Sequence, residues 1–293
     1  MQQAGDTRRA TGGSAPGEAD SVSLDKPIGY APPLAAHDIA RLEGDLTNDG
    51  RVTLATEVPV ALVYNGRTHV VMMCTPNDLE DFAIGFSLTE GIAVATEVGR
   101  IDVVRYSQGI EVQLEIPSTA AERLTDRGRS LVGRTGCGLC GVEAITDALR
   151  EPVLVQSPAV FSRAALWRAG AALGDGQPLN NETNAIHAAA FANASGDLQI
   201  VREDVGRHNA VDKVIGAMAR AAVDGSAGFL IVTSRASYEL IQKAAVANVP
   251  LLAAVSRPTA LAVQIADAAG ISLVGLLRGK TANVYTHPER VHA

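Results

Sequence analysis

The chain has 293 residues, of which 47% are hydrophobic, 19% charged and 4% aromatic, with a formal charge of -7 at pH 7. That composition supports a sizeable core and excludes an intrinsically disordered chain. The acidic balance argues against a surface for duplex nucleic acid, and no run reaches the ~18 uninterrupted apolar residues of a membrane helix. Three cysteines, one close pair and one alone, do not make the framework of a secreted disulfide protein and favour a reducing compartment, the cytosol. Arg8-Arg9 resembles a twin-arginine signal, but A-T-G-G-S-A-P-G follows where an apolar segment is required.

Residues Met1 to about Pro33 are rich in Gly, Ala, Ser, Pro and charge without apolar period, and read as a flexible arm, with structure starting near Ile39. Val52 to Val63 and His69 to Cys74 read as two strands around the turn Asn65-Gly66, the start of an antiparallel sheet. Thr75-Pro76-Asn77-Asp78 predicts a helix cap, and Leu79, Phe82, Ala83, Phe86 and Leu88 an amphipathic helix ending before Gly91. Val98 to Tyr106 and Ile110 to Ile116 read as another strand pair. Further on, Arg163 to Leu173 and Ala185 to Asn193 read as helices. Leu198 to Arg202, Gly228 to Thr233, Pro250 to Val255 and Ile271 to Leu277 read as strands, alternating with helices at Ala210 to Ala222, Tyr238 to Ala247 and Ala260 to Ala269. These strands are apolar on both faces, as in a sheet with helices on each side, and Asn283 to Thr286 adds an edge strand. The fold class expected is α/β, a three-layer domain with a smaller N-terminal α+β part. The division is an arm over 1–35, the α+β part over 36–120, and the α/β domain with its cysteine loop over 121–293.

The pair Cys137 and Cys140 lies in R-T-G-C-G-L-C-G-V-E, Arg134 to Glu143, before a helix-like run. Unpaired backbone N–H groups at a helix start favour the thiolate, Arg134 adds positive charge, and Gly136, Gly138 and Gly141 leave room for a large ligand or another chain. Three chemistries fit: structural zinc, a redox dithiol and a persulfide-carrying sulfur-transfer site. Zinc lacks a second C-x-x-C, and the redox dithiol lacks the apolar strand that should precede it. In sulfur transfer one thiolate accepts sulfane sulfur and the second assists release. Cys74, inside the apolar run Val70 to Met73, reads as a buried small hydrophobe.

Polar residues gather at four other places, all near predicted strand ends, where open α/β sheets hold their ligands. Thr183-Asn184-Ala185-Ile186-His187 is the first, with His187 readable as a satisfied histidine near the core. Arg202 to Lys213, R-E-D-V-G-R-H-N-A-V-D-K, is dense in titratable groups at a strand-to-helix turn and reads as a site. Thr233-Ser234-Arg235 and Ser256-Arg257-Pro258-Thr259 suit a phosphate or pyrophosphate, and Leu276-Leu277-Arg278-Gly279-Lys280-Thr281 brings two cations off the last long strand. No standard nucleotide loop is present.

C-G-L-C-G, T-N-A-I-H-A-A-A, R-E-D-V-G-R-H-N-A-V-D-K and S-R-P-T, in this order, resemble the formate dehydrogenase accessory sulfurtransferase (FdhD) family over essentially the whole chain after the first ~35 residues. The resemblance implies a homodimer with a cytidine-deaminase-like α/β domain. It implies a sulfur carrier that takes sulfur from a cysteine desulfurase and passes it to the molybdenum cofactor in its bis(molybdopterin guanine dinucleotide) form, so activating formate dehydrogenase. The cofactor is then a bound substrate, and no permanently bound cofactor or metal is expected. Cys137 would carry the persulfide with Cys140 as helper. Leu276, Leu277, Arg278, Gly279, Lys280 and Thr281, with Ser256 and Arg257 beside them, would take the guanine dinucleotide. Asn184-Ala185 departs from the glycine more usual in the family. Deaminase chemistry is not expected, since Ala188 and Ala189 follow His187 where H-x-E would stand, and no proline precedes Cys137. The competing reading is a cofactor-binding chaperone whose C-x-x-C is structural or regulatory.

Overall fold

The computed structural model describes residues 27–128 and 151–293. The segment Arg134 to Glu143 with Cys137 and Cys140, and the first 26 residues, lie outside the described residues.

After a 3-10 turn at Ile28–Tyr30 comes a hairpin, β1 (Leu34–Glu43) and β2 (Leu46–Ala55), paired in register over all ten residues and, among the described residues, to no other strand. Ordered structure therefore starts earlier than Ile39, because a run too polar for a core still forms a two-stranded ladder. β3 (Val58–Tyr64) and β4 (Arg67–Cys74) turn at Asn65-Gly66, both at positive φ, as a two-residue hairpin requires. β5 (Ile101–Tyr106) and β6 (Gly109–Leu114) complete a four-stranded sheet of order β4-β3-β6-β5. It is mixed and not antiparallel throughout, since β3 and β6 run parallel. Helix α1 (Leu79–Thr89) covers it, burying Leu79, Phe82, Ala83 and Phe86 against Val60, Leu62, Val112 and Leu114. Asp78 precedes α1 at φ 50° with no side-chain cap, so the predicted cap does not form there. Helix α2 (Ser118–Gly128) follows.

A second sheet of six strands has the order β13-β12-β11-β10-β8-β9. Short β7 (Phe161–Ser162) pairs with β14 (Val291–His292) outside it and leads into α3 (Arg163–Asp175), capped by Ser162 Oγ, and α4 (Pro178–Thr183). Asn184, at φ 52°, ends α4, and β8 (His187–Asn193) begins. The helix expected over Ala185 to Asn193 is thus a strand. Alanine's helix propensity is overridden because small side chains let helices close on both faces. Ala188, Ala190 and Ala192 meet Ala165, Leu166 and Leu173 of α3, while Ala189 and Phe191 meet Val211, Val214 and Ile215 on the other face.

The remaining elements alternate as predicted: β9 (Leu198–Asp204), α5 (Arg207–Arg220), β10 (Gly228–Val232), α6 (Tyr238–Val246), β11 (Leu251–Ala254), α7 (Ala260–Ala269), β12 (Ser272–Arg278) and β13 (Thr281–Val284). β10, β11 and β12 are parallel, and β8, β9 and β13 give antiparallel pairings. Helices α5, α6 and α7 share one core with the sheet and α3 the opposite one, a three-layer arrangement. Among the described residues no helix is long and apolar enough to cross a membrane.

The two sheets meet through α1 and α5. Gly85 and Gly216 let the helices touch backbone to backbone, since a Cβ on either would collide with the carbonyl oxygen of Asp212 or Asp81. Charges complete the contact. Asp81 accepts from Arg202 Nη2 at 2.7 Å and Arg220 Nη1 at 2.8 Å. Lys243 Nζ lies 2.8 and 2.9 Å from the Asp212 oxygens, and Thr89 Oγ1 donates to Asp212 at 2.7 Å.

Candidate functional site

Backbone hydrogen bonds tie five strand ends into one edge of the six-stranded sheet. Asp204, at the end of β9, is paired with His187 at the start of β8, and Thr233 N donates to Ala188 O. Val255 N donates to Val232 O, and Leu276 N to Ser256 O. The four polar clusters read from the sequence therefore share an edge, with β12 and β9 four strand spacings apart, about 19 Å.

At the β12 end, Ser256 and Leu276 meet through that hydrogen bond, and Arg278 Nε donates to Val255 O at 3.4 Å. Leu276 sits at φ 56° where the register shifts between Gly275 and Arg278, a bulge that turns the strand end outward. Gly279, at φ 57°, and Lys280 form the two-residue turn into β13, and Thr281 Oγ1 donates to Arg278 O. Arg257, Arg278, Gly279, Lys280 and Thr281 are exposed, Ser256 and Leu276 half-buried. Leu277 points away from this group, into the core against Gly170. Thr259 caps α7 by accepting from Ala262 N, and Thr233 Oγ1 accepts from Ala188 N.

The cluster 202–213 divides. Most of it serves the fold, because a buried charge must be paired and hydrogen-bonded. Arg202 holds Asp81, and Glu203 accepts from Leu179 N and Asn180 N at the start of α4. Asp204 and Lys213 form an ion pair of 2.7 Å with neither side chain exposed. Asp204 also accepts from Thr75 N, Gly206 N and Asn209 Nδ2, and Asn209 reaches Met73 O and Cys74 Sγ. Cys74 is fully buried, as expected, and burial, with the Asp204 charge, pushes its thiol well up.

What faces outward is a cleft of about 390 Å³ lined by His187, Val205, Arg207 and His208 on one side and Val71, Met72 and Met73 on the other. His208 Nε2 lies 2.7 Å from Glu239 Oε2, and Ser237 Oγ donates to the same carboxylate. Burial works to raise the Glu239 carboxyl, but the hydrogen bonds and positive charge around it outweigh this and hold it below its usual range. Burial lowers the His187 imidazole, helped by the charges of Arg207 and His208. The sequence offered no sign of Glu239 in this role, since it enters from the first turn of another helix, 31 residues on.

A family model described as FdhD/NarQ matches residues 55–292. Proteins named sulfur carrier protein FdhD resemble the chain closely. That of Xanthomonas euvesicatoria pv. vesicatoria is 52% identical, covering 81% of this chain and 85% of its own. That of Xanthomonas campestris pv. campestris (strain B100) is 53% identical over the same shares. That of Bordetella petrii is 49% identical, covering 85% and 89%. The crystal structure of a candidate formate dehydrogenase accessory protein from Desulfotalea psychrophila superposes with a TM-score of 0.70 at 23% identity, over 89% of this chain and 100% of that one. At that identity the likeness is one of fold.

Proposed function

The chain belongs to the FdhD/NarQ family, and from that premise we propose that it is a sulfurtransferase that carries sulfur to the molybdenum cofactor of formate dehydrogenase. The observation that carries this reading is the close identity, 49 to 53% over most of the chain, to proteins named as sulfur carriers. A cysteine desulfurase presents a persulfide. The Cys137 thiolate attacks its terminal sulfur, the donor's S–S bond breaks, and the donor cysteine leaves as a thiolate. In release, the Cys140 thiolate attacks the Cys137 sulfur and expels sulfide. The carried sulfur gains two electrons, the two thiols become a disulfide, and a dithiol reductant resets the pair.

The acceptor is the bis(molybdopterin guanine dinucleotide) cofactor, bound as substrate along the edge described above. Arg257, Arg278 and Lys280, exposed beside half-buried Ser256, suit its pyrophosphates. A cytidine-deaminase-like arrangement of the larger sheet, a homodimer and a cytoplasmic location belong to the same reading.

The test is mass spectrometry of the whole chain after incubation with a cysteine desulfurase and cysteine. One added sulfur on Cys137, absent from Cys137→Ala, is the expected result. If Cys137→Ala still activates formate dehydrogenase fully, the protein is a cofactor-binding chaperone and the transfer reading is wrong.

A further inference from the structure

We propose that the β9 end of the edge is a separate binding site for a phosphoryl-type dianion, held by Arg207 and His187 in the cleft beside His208. It requires neither member of the cysteine pair and stands whether or not the protein transfers sulfur.

Arg207 is the first reason. Among the described residues it has no ion-pair partner, and its Nε is shut off from solvent without a hydrogen-bond partner. The neighbouring Arg202 and Arg220 are both engaged by Asp81. A guanidinium with a buried, unsatisfied N–H is costly, and in a native fold it calls for an explanation. Arg207 lines the cleft, so a ligand oxygen there gives its guanidinium an acceptor, which Nε meets once the side chain turns toward it.

The second reason is the company it keeps. His187 is half-buried on the same cleft, and no hydrogen bond reaches its ring among the described residues. His208 is fixed by Glu239 through Nε2, which leaves Nδ1 free. The first intrahelical bond of α5 is Ala210 N to Gly206 O, so the N–H groups of Arg207, His208 and Asn209 have no partner within the helix. Donors thus converge from a helix start, a guanidinium and an imidazole, which suits the several oxygens of a phosphoryl group.

Carboxylates do not cancel this. Asp204 is matched by Lys213, and the Glu239 carboxylate is taken up by hydrogen bonds with His208 and Ser237. The remaining acid of the lining, Glu57, is exposed to solvent, where water screens it. The separation from β12, about 19 Å, means that Arg278 and Lys280 do not touch the same phosphate. The dianion is then either free phosphate or a phosphate of a longer ligand lying along the edge.

The experiment is calorimetric titration of the whole chain with inorganic phosphate and, separately, with guanosine diphosphate, for wild type, Arg207→Gln, Arg207→Lys, His187→Gln and Arg278→Ala. Phosphate should bind wild type saturably, about tenfold or more weakly in Arg207→Gln and several-fold more weakly in His187→Gln. Arg207→Lys, which keeps charge and loses the fork, should fall between, and it serves if Arg207→Gln unfolds. Loss of phosphate alone in Arg207→Gln assigns the free ion. Loss of guanosine diphosphate in both Arg207→Gln and Arg278→Ala assigns a longer ligand. On the wild-type chain the imidazole ¹⁵N signals of His187 should move with phosphate. Absence of saturable binding by either probe, equal binding in folded Arg207 variants, or unmoved His187 signals overturns the proposal.

Discussion

Replacing Lys213 with Met removes an ammonium while keeping the volume of its stem, so the consequence is electrostatic and not a cavity. The ammonium sits 2.7 Å from Asp204 Oδ2 with both side chains fully buried. It also donates to Thr75 O at 3.1 Å and to Asn77 Oδ1 and Glu203 O at 3.2 Å. Removing one partner of a buried pair costs about 3–5 kcal/mol, mostly the penalty of the charge left behind. Asp204 keeps three N–H donors, from Thr75, Gly206 and Asn209, which places the loss in the lower half, about 3–4 kcal/mol. That lowers the folded-to-unfolded ratio by roughly a hundred- to a thousandfold, a large share of an ordinary domain's 5–15 kcal/mol. Urea unfolding followed by circular dichroism, with the slope unchanged, reads this directly. Adding Asp204→Asn to Lys213→Met should recover part of the loss, because the stranded charge disappears. A loss under about 1 kcal/mol, or a double variant less stable than the single one, would refute the reasoning.

Gly216→Ala should cost about 3 kcal/mol or more by forcing α1 from α5, seen as a lower urea midpoint. An unchanged midpoint means that the helices do not cross backbone to backbone. Arg278→Ala should weaken guanosine diphosphate about tenfold or more while sulfur loading of Cys137 stays intact. Affinity and persulfide yield falling together in a folded variant would show that loading and docking are not separable. His187 also predicts a pH dependence. Its imidazole is lowered by burial first and neighbouring charge second, so the unfolded chain binds the proton more readily. Its stabilising share is whole above the unfolded value, about 6.5, and is lost as pH falls through the folded one. In His187→Gln the melting temperature should fall less between pH 7 and pH 5 than in wild type, and parallel curves would count against a buried neutral imidazole.

Much of the fold was legible where local chemistry and tertiary packing agree. Asn65-Gly66 marked a tight hairpin, and the doubly apolar strands 228–232 and 251–254 signalled a covered sheet. Where the two conflict, local signals misled. The alanines of 187–193 look helical alone, yet their smallness is what two helices closing on a central strand demand. Arg202 to Lys213 looked like one site because density of titratable groups is all a sequence displays. Which acceptor each cation meets depends on residues more than 100 positions away, such as the Asp81 carboxylate for Arg202 and the Thr75 carbonyl for Lys213. The parallel pairing of β3 with β6 and the bond between His208 and Glu239 were hidden for the same reason.

The strand order also bears on how the protein is made. In the order of synthesis, β9 lies beside β8, and then β10 beside β8, β11 beside β10, β12 beside β11 and β13 beside β12. Within the six-stranded sheet each later strand can therefore add to a partner already made, at the open side, and none must be inserted between two others, unlike β6 of the smaller sheet, which lies between β3 and β5. A chain broken off after Ala269 would leave β11, buried on both faces in the finished protein, as an uncovered parallel edge. Such products should collect in inclusion bodies and not as soluble fragments carrying half an edge.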